Sequence, residues 1–432
     1  MQALVASRLR CGLEIVEIFV NTALRKRIFI GAGVVLCLLY VFLAGRLFTA
    51  SLYDGRAELA SLEEAVRLDG GNADYRDHLG RYYALVARDP GAAIEHYRAA
   101  VQLKPHSARF WFDLASAYQV LGDTSNQTFA LARAIEADPT TPDVAWQAAN
   151  FYLVQGENKK ALREFRVVLE SDPSLANLAM QYCWRINPDV DELLRDVVPA
   201  KAAAYFAFLN LLMTKQETPA TAKVWAALMA TSESFDLPQV YDYFRYLINH
   251  HDVSQASLMW QQTAPRFGLS SYLPTRNNLI VNGGFSLDVL NGGFDWQYQK
   301  QPSVNLTLDP SDFHGGHRSL LVNFDGPGVN DAGIHQFIAV EPDTVYEFSA
   351  YYKNGEMEGA GGPHLTLQDA YTQAVVYDSD ELKAGGFWKS VSGAFTTGDD
   401  CRLLMLSIRR LPEGSPIRGK LWVDDFRLVA KQ

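Results

Sequence analysis

Three patterns of apolar and polar residues follow one another along the chain. From Ile28 to Ala44 the sequence reads IFIGAGVVLCLLYVFLA without a charge, and after Gly45-Arg46 the apolar run resumes as Leu47-Phe48. A helix from Ile28 to Phe48 is about 30 Å long, enough for one hydrocarbon core, with Arg46 placed to snorkel to its edge. From Asp54 to about Phe267 apolar residues recur at helical spacing, and marker positions return every 34 residues: Pro105, Pro139 and Pro173, with Gly71 another 34 earlier. From Asn277 the period falls to two, in short alternating runs parted by Gly, Asn and Asp.

The last region predicts strands at Ser303 to Leu308, Ser319 to Phe324, Gly333 to Val340, Val345 to Lys353, His364 to Ala370, Phe387 to Thr396, Arg402 to Arg409 and Lys420 to Val429. Eight strands in that length indicate a two-sheet sandwich of the jelly-roll kind. The chain is thus expected to be multidomain. A segment at 1–27 precedes one transmembrane helix at 28–48; an all-α solenoid follows at 54–267, a linker at 268–276 and an all-β jelly-roll sandwich at 277–432.

Charge adds topology. The 39 Lys and Arg against 49 Asp and Glu give a net charge of −10. Before the span stand Arg8, Arg10, Arg25, Lys26 and Arg27 against Glu14 and Glu17, so that end carries +3 and the remainder −13. The positive-inside rule then places the N-terminus in the cytoplasm and the bulk outside it, in the periplasm if the host is a Gram-negative bacterium. The long basic region, with no small-x-small site before Asp54, reads as a retained anchor rather than a cleaved signal. The stretch from Gly12 to Ala23 is amphipathic enough to lie on the inner leaflet of the lipid bilayer, or is a plain cytoplasmic helix. An acidic exposed part argues against nucleic acid, which is bound by neutralising phosphates. The 4 cysteines, Cys11, Cys37, Cys183 and Cys401, fall in different regions and offer no disulfide framework.

The helical region resembles the tetratricopeptide family. In-phase residues are Leu79, Gly80, Tyr83, Ala93, Tyr97, Ala100 and Pro105, with one extra residue in the inner turn; then Trp111, Leu114, Tyr118, Gly122, Ala134 and Pro139; then Trp146, Ala149, Leu153, Gly156, Ala161, Phe165 and Pro173. Two weaker units run through Tyr205, Phe208, Leu212, Trp225 and Leu228, and through Tyr243, Leu247, Ala256 and Trp260, for about five helix pairs in all. Most of these large residues pack against small ones. The resemblance implies protein partners along a concave face, with Arg76, Asp113, Gln119 and Asn150 as candidate contacts; the plainer reading is a spacer.

The words NLIVNGGFS, GGFDWQY, GHRSLLVNF, TVYEFSAYYK, FWKSVSGAFTT and GKLWVDDFRLV occur in the order seen in carbohydrate-binding modules of the family 4/9/22 type, which the region resembles from Asn278 to Val429. Such folds also bind proteins or serve structurally, so fold is more firmly implied than ligand. Sugar binding needs exposed rings with hydroxyl-matching donors and acceptors. Alternation buries Tyr346, Phe348, Ala350 and Tyr352 and turns Glu347, Ser349, Tyr351 and Lys353 outward. With His364, Thr366 and Gln368 outward on the next strand, Tyr351 and Gln368 are expected to be neighbours. The carbohydrate-binding candidates are Trp296, Tyr298, Tyr351, His364 and Gln368, with Gln336 and Arg409; Trp388 and Trp422 are assigned to the core. The resemblance also implies a structural calcium, for which Asp425 would supply a carboxylate, although a turn Asp is the plainer reading.

No catalytic constellation is visible: HExxH, GxSxG, P-loop and CxxC patterns are missing. His314 and His317 with Asp312 invite a metal reading, but a Gly-rich solvated turn is the simpler account. Adjacent Asp424 and Asp425 are expected on opposite faces of their strand. No cofactor is required beyond that calcium. The chain therefore reads as a non-catalytic, membrane-anchored scaffold that binds a polysaccharide through the sandwich and protein partners through the repeats, as in exopolysaccharide assembly or export. The alternative is a protein-interaction scaffold that binds no sugar.

Overall fold

A computed structural model describes residues 23–383 and 385–431. Arg8, Arg10, Cys11 and the stretch from Gly12 to Thr22 lie outside the described residues. The chain divides into two compact units, Met1–Val167 and Val168–Gln432.

In the first unit, α1 (Ala23–Asp54) is a 32-residue helix, long and apolar enough to cross a membrane, with none of its apolar window buried against protein. Its C-terminal turns do pack: Ala50 is buried, and Asp54 meets His78 Nδ1 at 2.9 Å. Arg46 departs from the snorkelling expectation. Its Nε donates to Leu68 O at 2.6 Å, which satisfies a carbonyl at the end of α2 (Leu59–Leu68) that has no partner within its own helix.

The repeats follow as α3 (Ala73–Tyr82), α4 (Pro90–Leu103), α5 (Ala108–Leu121), α6 (Thr124–Ala137), α7 (Pro142–Val154) and α8 (Asn158–Ser171). Asn72, Asp89 and Asp123 cap α3, α4 and α6 by accepting backbone N–H groups, and Pro90 and Pro142 stand in first turns, where no donor is lost. The extra residue of the first unit is absorbed as a π turn at Tyr83–Ala87, closed by Arg88 in the left-handed region at φ 56°. Gly80 lets the pair close, because a Cβ there would stand 2.7 Å from the ring of buried Tyr97.

The second unit continues with α9 (Ala176–Ile186), α10 (Val190–Asp196), α11 (Ala202–Lys215), α12 (Thr218–Met229), α13 (Leu237–Asn249) and α14 (Val253–Thr263). The Gly and Pro markers are gone, yet Tyr205, Phe208, Leu212, Trp225, Leu228, Tyr243, Leu247, Ala256 and Trp260 are all buried. Large apolar residues at helical spacing hold the pairs together once the markers have lapsed.

The segment 268–276 is not a slack linker. It carries a 3-10 turn at Ser270–Tyr272, and Tyr272 is buried, its carbonyl accepting from Trp260 Nε1 at 3.0 Å and its hydroxyl donating to Asp288 O at 2.7 Å.

The sandwich contains β1 (Gln297–Tyr298), β2 (Val304–Asp309), β3 (Ser319–Gly326), β4 (Asp331–Ala339), β5 (Val345–Gly359), β6 (Gly362–Asp369), β7 (Val375–Asp378), β8 (Lys389–Thr396), β9 (Leu403–Leu411) and β10 (Ile417–Ala430). All eight predicted strands are present; β1 and β7 are too short for alternation to announce. Two antiparallel five-stranded sheets, β1-β4-β9-β6-β7 and β2-β3-β10-β5-β8, enclose one core that includes Phe285, Trp296, Phe348, Leu365, Leu406 and Phe426. The opening segment lies along β10, with Leu279 N donating to Leu428 O and Asn278 Nδ2 to Phe426 O.

The sandwich is docked on the last helix pair. Gly292 and Gly293 press against the rings of Tyr241 and Trp260, where a Cβ on either glycine would meet ring atoms at 2.7 Å. Phe244 and Phe294 pack edge to face at 4.9 Å, the Tyr371 hydroxyl donates to Ile248 O at 2.9 Å, and His251 stacks on Tyr371 at 3.8 Å. Beneath this joint lies Asp295, fully buried, whose carboxyl burial pushes up to about 7 against a hydrogen bond from Leu290 N.

Gly80→Leu is expected to destabilise the repeat unit by about 3 kcal/mol, because the Tyr97 ring is enclosed and cannot yield. Chemical denaturation followed by circular dichroism checks this.

Candidate functional site

Strand register decides which side chains share a face. In the first sheet Ile334, Ile338, Leu404, Leu406, Ile408, Leu365 and Leu367 point into the core. Their alternates form the outer face. One rung crosses all five strands, because Gln297 pairs with His335, His335 with Ser407, Ser407 with Thr366, and Thr366 with Asp378. Next to it on one side, His364 pairs with Arg409, which also pairs with Asp331; on the other side Phe337, Met405 and Gln368 form a third rung.

This face is polar and shaped by burial. Thr366 and Ser407 are almost fully enclosed, and Ser407 Oγ has no hydrogen-bond partner, whereas Thr366 Oγ1 donates to Asp378 Oδ1 at 2.7 Å. Around them His364, Arg409, His335 and Gln297 are half-buried. Burial holds the His335 imidazole below its ordinary pKa against the pull of Asp331, so at neutral pH the ring is uncharged, one nitrogen donating and the other accepting. His364 Nδ1 lies 2.7 Å from Ser379 O, which fixes the ring and leaves Nε2 for a ligand. Arg409 Nη2 is held 2.5 Å from Glu413 Oε1. Donors and acceptors thus lie at rung spacing along this face, a pattern that can meet hydroxyl groups.

Sequence reasoning brought three of its candidates to this face: His364, Gln368 and Arg409. Gln368 is nearly enclosed, and its amide is spent on Gln373. His335, Ser407, Thr366 and Gln297 share this face with them, and only cross-strand pairing places these four on one rung.

The other candidates lie elsewhere. Trp296 is a correction: it is fully buried, stacked on Phe285 at 5.1 Å, with Nε1 donating to Asn282 O. Gln336 is also corrected, because it faces inward and its amide both donates to and accepts from the Val281 backbone. Tyr298 is 51% exposed but pairs with inward-facing Ile334, so it stands at the sheet edge rather than on the polar face. Tyr351 lies on the outer face of the other sheet, since β5 and β6 belong to different sheets; it is therefore no neighbour of Gln368.

Around Tyr351 an aromatic cluster forms. His314 stacks on its ring at 3.6 Å and meets Trp388 edge to face at 5.8 Å. Trp422 donates Nε1 to Asp309 Oδ2 at 2.8 Å and has Lys353 over its ring at 5.5 Å. Trp388 and Trp422 are thus half-exposed and outside the core, contrary to expectation. His314 covers one face of the Tyr351 ring and Lys353 lies over one face of Trp422.

Asp424 and Asp425 do not diverge. A bulge between Asp424 and Arg427, with Asp425 at φ 48°, breaks alternation and turns both carboxylates to the His314-Gly315 turn. Asp424 Oδ2 accepts from the N–H groups of His314 and Gly315, its Oδ1 accepts from Asp425 N, and Asp425 Oδ2 lies 2.6 Å from His314 Nδ1. Among the described residues no three His, Cys, Asp or Glu side chains converge. Calcium takes about six to eight oxygens, and a carboxylate paired to an imidazole beside one closed by three N–H groups does not fit it.

In the repeats, Asp113 receives Arg81 at 2.7 Å, and Asn150 Nδ2 donates to Trp146 O at 2.7 Å, so both are engaged within the fold. Arg76 Nε is buried without a hydrogen-bond partner, and Gln119 is exposed. Burial, then the Asp113 charge, pushes Asp77 up to about 7 despite Arg81 and Arg109.

Comparison with known families agrees with this architecture. The carbohydrate binding domain family of the 4/9 type matches residues 277–408, and the tetratricopeptide repeat matches residues 108–141. The chain joins a tetratricopeptide-repeat region to a β-sandwich of the carbohydrate-binding-module kind; both are non-catalytic modules. Similar solved structures include a family 4 carbohydrate-binding module, 16% identical over 35% of this chain and 99% of that one, at a TM-score of 0.28. Another is the module TmCBM61 in complex with β-1,4-galactotriose, 18% identical over 36% and 99%, at 0.25. A third is PilF of Pseudomonas aeruginosa, 15% identical over 52% and 95%, at 0.26. No curated protein matches the chain.

Trp296→Ala should cost about 3–5 kcal/mol, as expected for a large core ring, whereas Tyr298→Ala should change stability by no more than about 0.5 kcal/mol. Thermal unfolding of the two variants separates the core ring from the edge ring.

Proposed function

We propose that this chain is a non-catalytic scaffold, anchored in a membrane by α1, that binds a polysaccharide on the outer face of the first sheet and protein partners along its repeats. The observation that carries the sugar reading is the rung Gln297, His335, Ser407, Thr366 and Asp378, flanked by His364 and Arg409. The accessible members, Gln297, His335, Asp378, His364 and Arg409, supply both donors and acceptors for sugar hydroxyls, while Thr366 and Ser407 lie enclosed between them. The match of the sandwich to a carbohydrate binding domain family supports the same ligand class. The repeats supply a surface for proteins.

The basic flank before α1 supports a cytoplasmic N-terminus with both soluble units on the far side, in the periplasm if the cell is Gram-negative. A sugar-binding module held there on a repeat scaffold suits the assembly or export of a cell-surface polysaccharide, the repeats recruiting the enzymes that act on it.

On a glycan array, detergent-solubilised full chain should bind at least one polysaccharide, and His364→Ala with Arg409→Ala should weaken it roughly ten-fold or more, the loss of hydrogen bonds worth about 1–3 kcal/mol. Binding of no glycan, or binding indifferent to both substitutions, overturns the reading. For topology, a C-terminal reporter that is active only outside the cytoplasm should be active, and one that is active only inside should be silent.

A further inference from the structure

An open groove of about 800 Å³ lies in the second unit between α9 and α11, beyond the repeat that matches the tetratricopeptide family. Its size is within the range of about 300–1,000 Å³ usual for ligand sites. Ala207 and Leu211, both buried, form an apolar floor, and the rims are polar. Asn177, Gln181 and Arg185 follow one another at one-turn intervals along α9, with Asn210, Thr214 and Lys215 on α11, and all six are exposed.

Two features set this groove apart from the candidate contacts on the earlier repeats. Asp113 and Asn150 are engaged inside the fold, whereas the side-chain amides of Asn177, Gln181 and Asn210 bond to no other described residue. The charge of the groove is also of one sign. Arg185 lies over the Tyr182 ring at 5.1 Å, Lys215 closes α11 without meeting a carboxylate among the described residues, and none of the described residues lining the groove is acidic. In a chain of net charge −10, a positive groove attracts an acidic ligand that the rest of the surface repels. The amides add a spacing. Each donates and accepts at once, as a peptide group requires of a partner. Asn177 and Gln181, one turn apart, are separated by about 6 Å along the helix axis, and an extended chain presents every second peptide group about 6.6 Å apart.

We propose that the groove between α9 and α11 is where the repeats dock a protein: it takes an extended acidic segment of a partner, whose backbone pairs with Asn177, Gln181 and Asn210 and whose carboxylates pair with Arg185 and Lys215. This rests on the reading that the repeats bind protein and is independent of the sugar reading.

The test presents detergent-solubilised, labelled full chain to an array of random peptides graded in net charge, together with acidic polysaccharide fragments. Acidic peptides should bind best, and more weakly as salt is raised. Arg185→Glu combined with Lys215→Glu should weaken the best acidic peptide at least ten-fold and turn the preference toward basic peptides, with the melting temperature unchanged because both side chains are exposed. Asn177→Ala combined with Gln181→Ala should lower affinity while keeping the acidic preference, a separation that a merely structural role would not produce. If acidic peptides bind and the charge-reversed chain binds them within two-fold of the wild type, the groove is overturned and the protein-binding reading of the repeats stands. If the acidic polysaccharide fragments bind in place of peptides and are lost on charge reversal, the occupant is a glycan and the proposal is overturned. If no peptide binds, the proposal and the protein-binding reading both fall.

Discussion

Trp260 holds the second unit together. Its ring lies where a side chain on Gly293 would have to go, and its indole N–H donates to the carbonyl of Tyr272, so one residue anchors the segment leaving the helices and the loop entering the sandwich. Burying that ring fully between α13, α14 and the sandwich is worth a few kcal/mol of apolar transfer, and replacing either glycine by any other residue would force the layers apart. The placing of Phe337 and Gln297 beside α13 follows from this contact, because both line the small cleft next to the seated glycines. A carbohydrate-binding-type sandwich is here a built part of the repeat region rather than a module on a tether.

The two faces of the sandwich use their aromatic residues in opposite ways. Trp296 stands close to a turn and still belongs to the core, where it joins Phe285 and Phe426 at the end of the sheets. Trp388 and Trp422 are half-exposed around His314 and Tyr351, where imidazole, lysine and carboxylates occupy their faces and edges. The proposed sugar reading rests instead on the polar face of the first sheet, where His335, His364, Gln297 and Arg409 are half-buried, although sugar binding is more usually sought at exposed rings.

The repeats show how far a periodic fold tolerates irregularity. One residue too many becomes a π turn at Tyr83–Ala87, and the helix pair closes through Gly80 and Tyr97 regardless. Buried Asp77, between Arg81, Arg109 and Asp113, ties α3 to α5 through charge while its own carboxyl is pushed up by burial. Such a network fixes helix orientation and does not present a free charge to a partner, which is why Asp113 looked like a contact in sequence and is an internal one in the fold.

What the sequence determined was whatever depends on neighbours along the chain. The apolar run of α1, the 34-residue period and the alternation of eight strands are local patterns, and they became one long apolar helix, helix pairs and eight strands. Alternation also separated Tyr346 and Phe348, inside, from Tyr351, outside. Only tertiary structure decided which strands share a sheet. That choice separated Tyr351 from Gln368, aligned Gln297, His335, Ser407 and Thr366 from four different strands, and turned Gln336 onto the Val281 backbone. A single bulge likewise brought Asp424 and Asp425 to the same turn. The physical reason is that strand pairing and layer docking join residues far apart in sequence through backbone hydrogen bonds and packing, which carry no period along the chain.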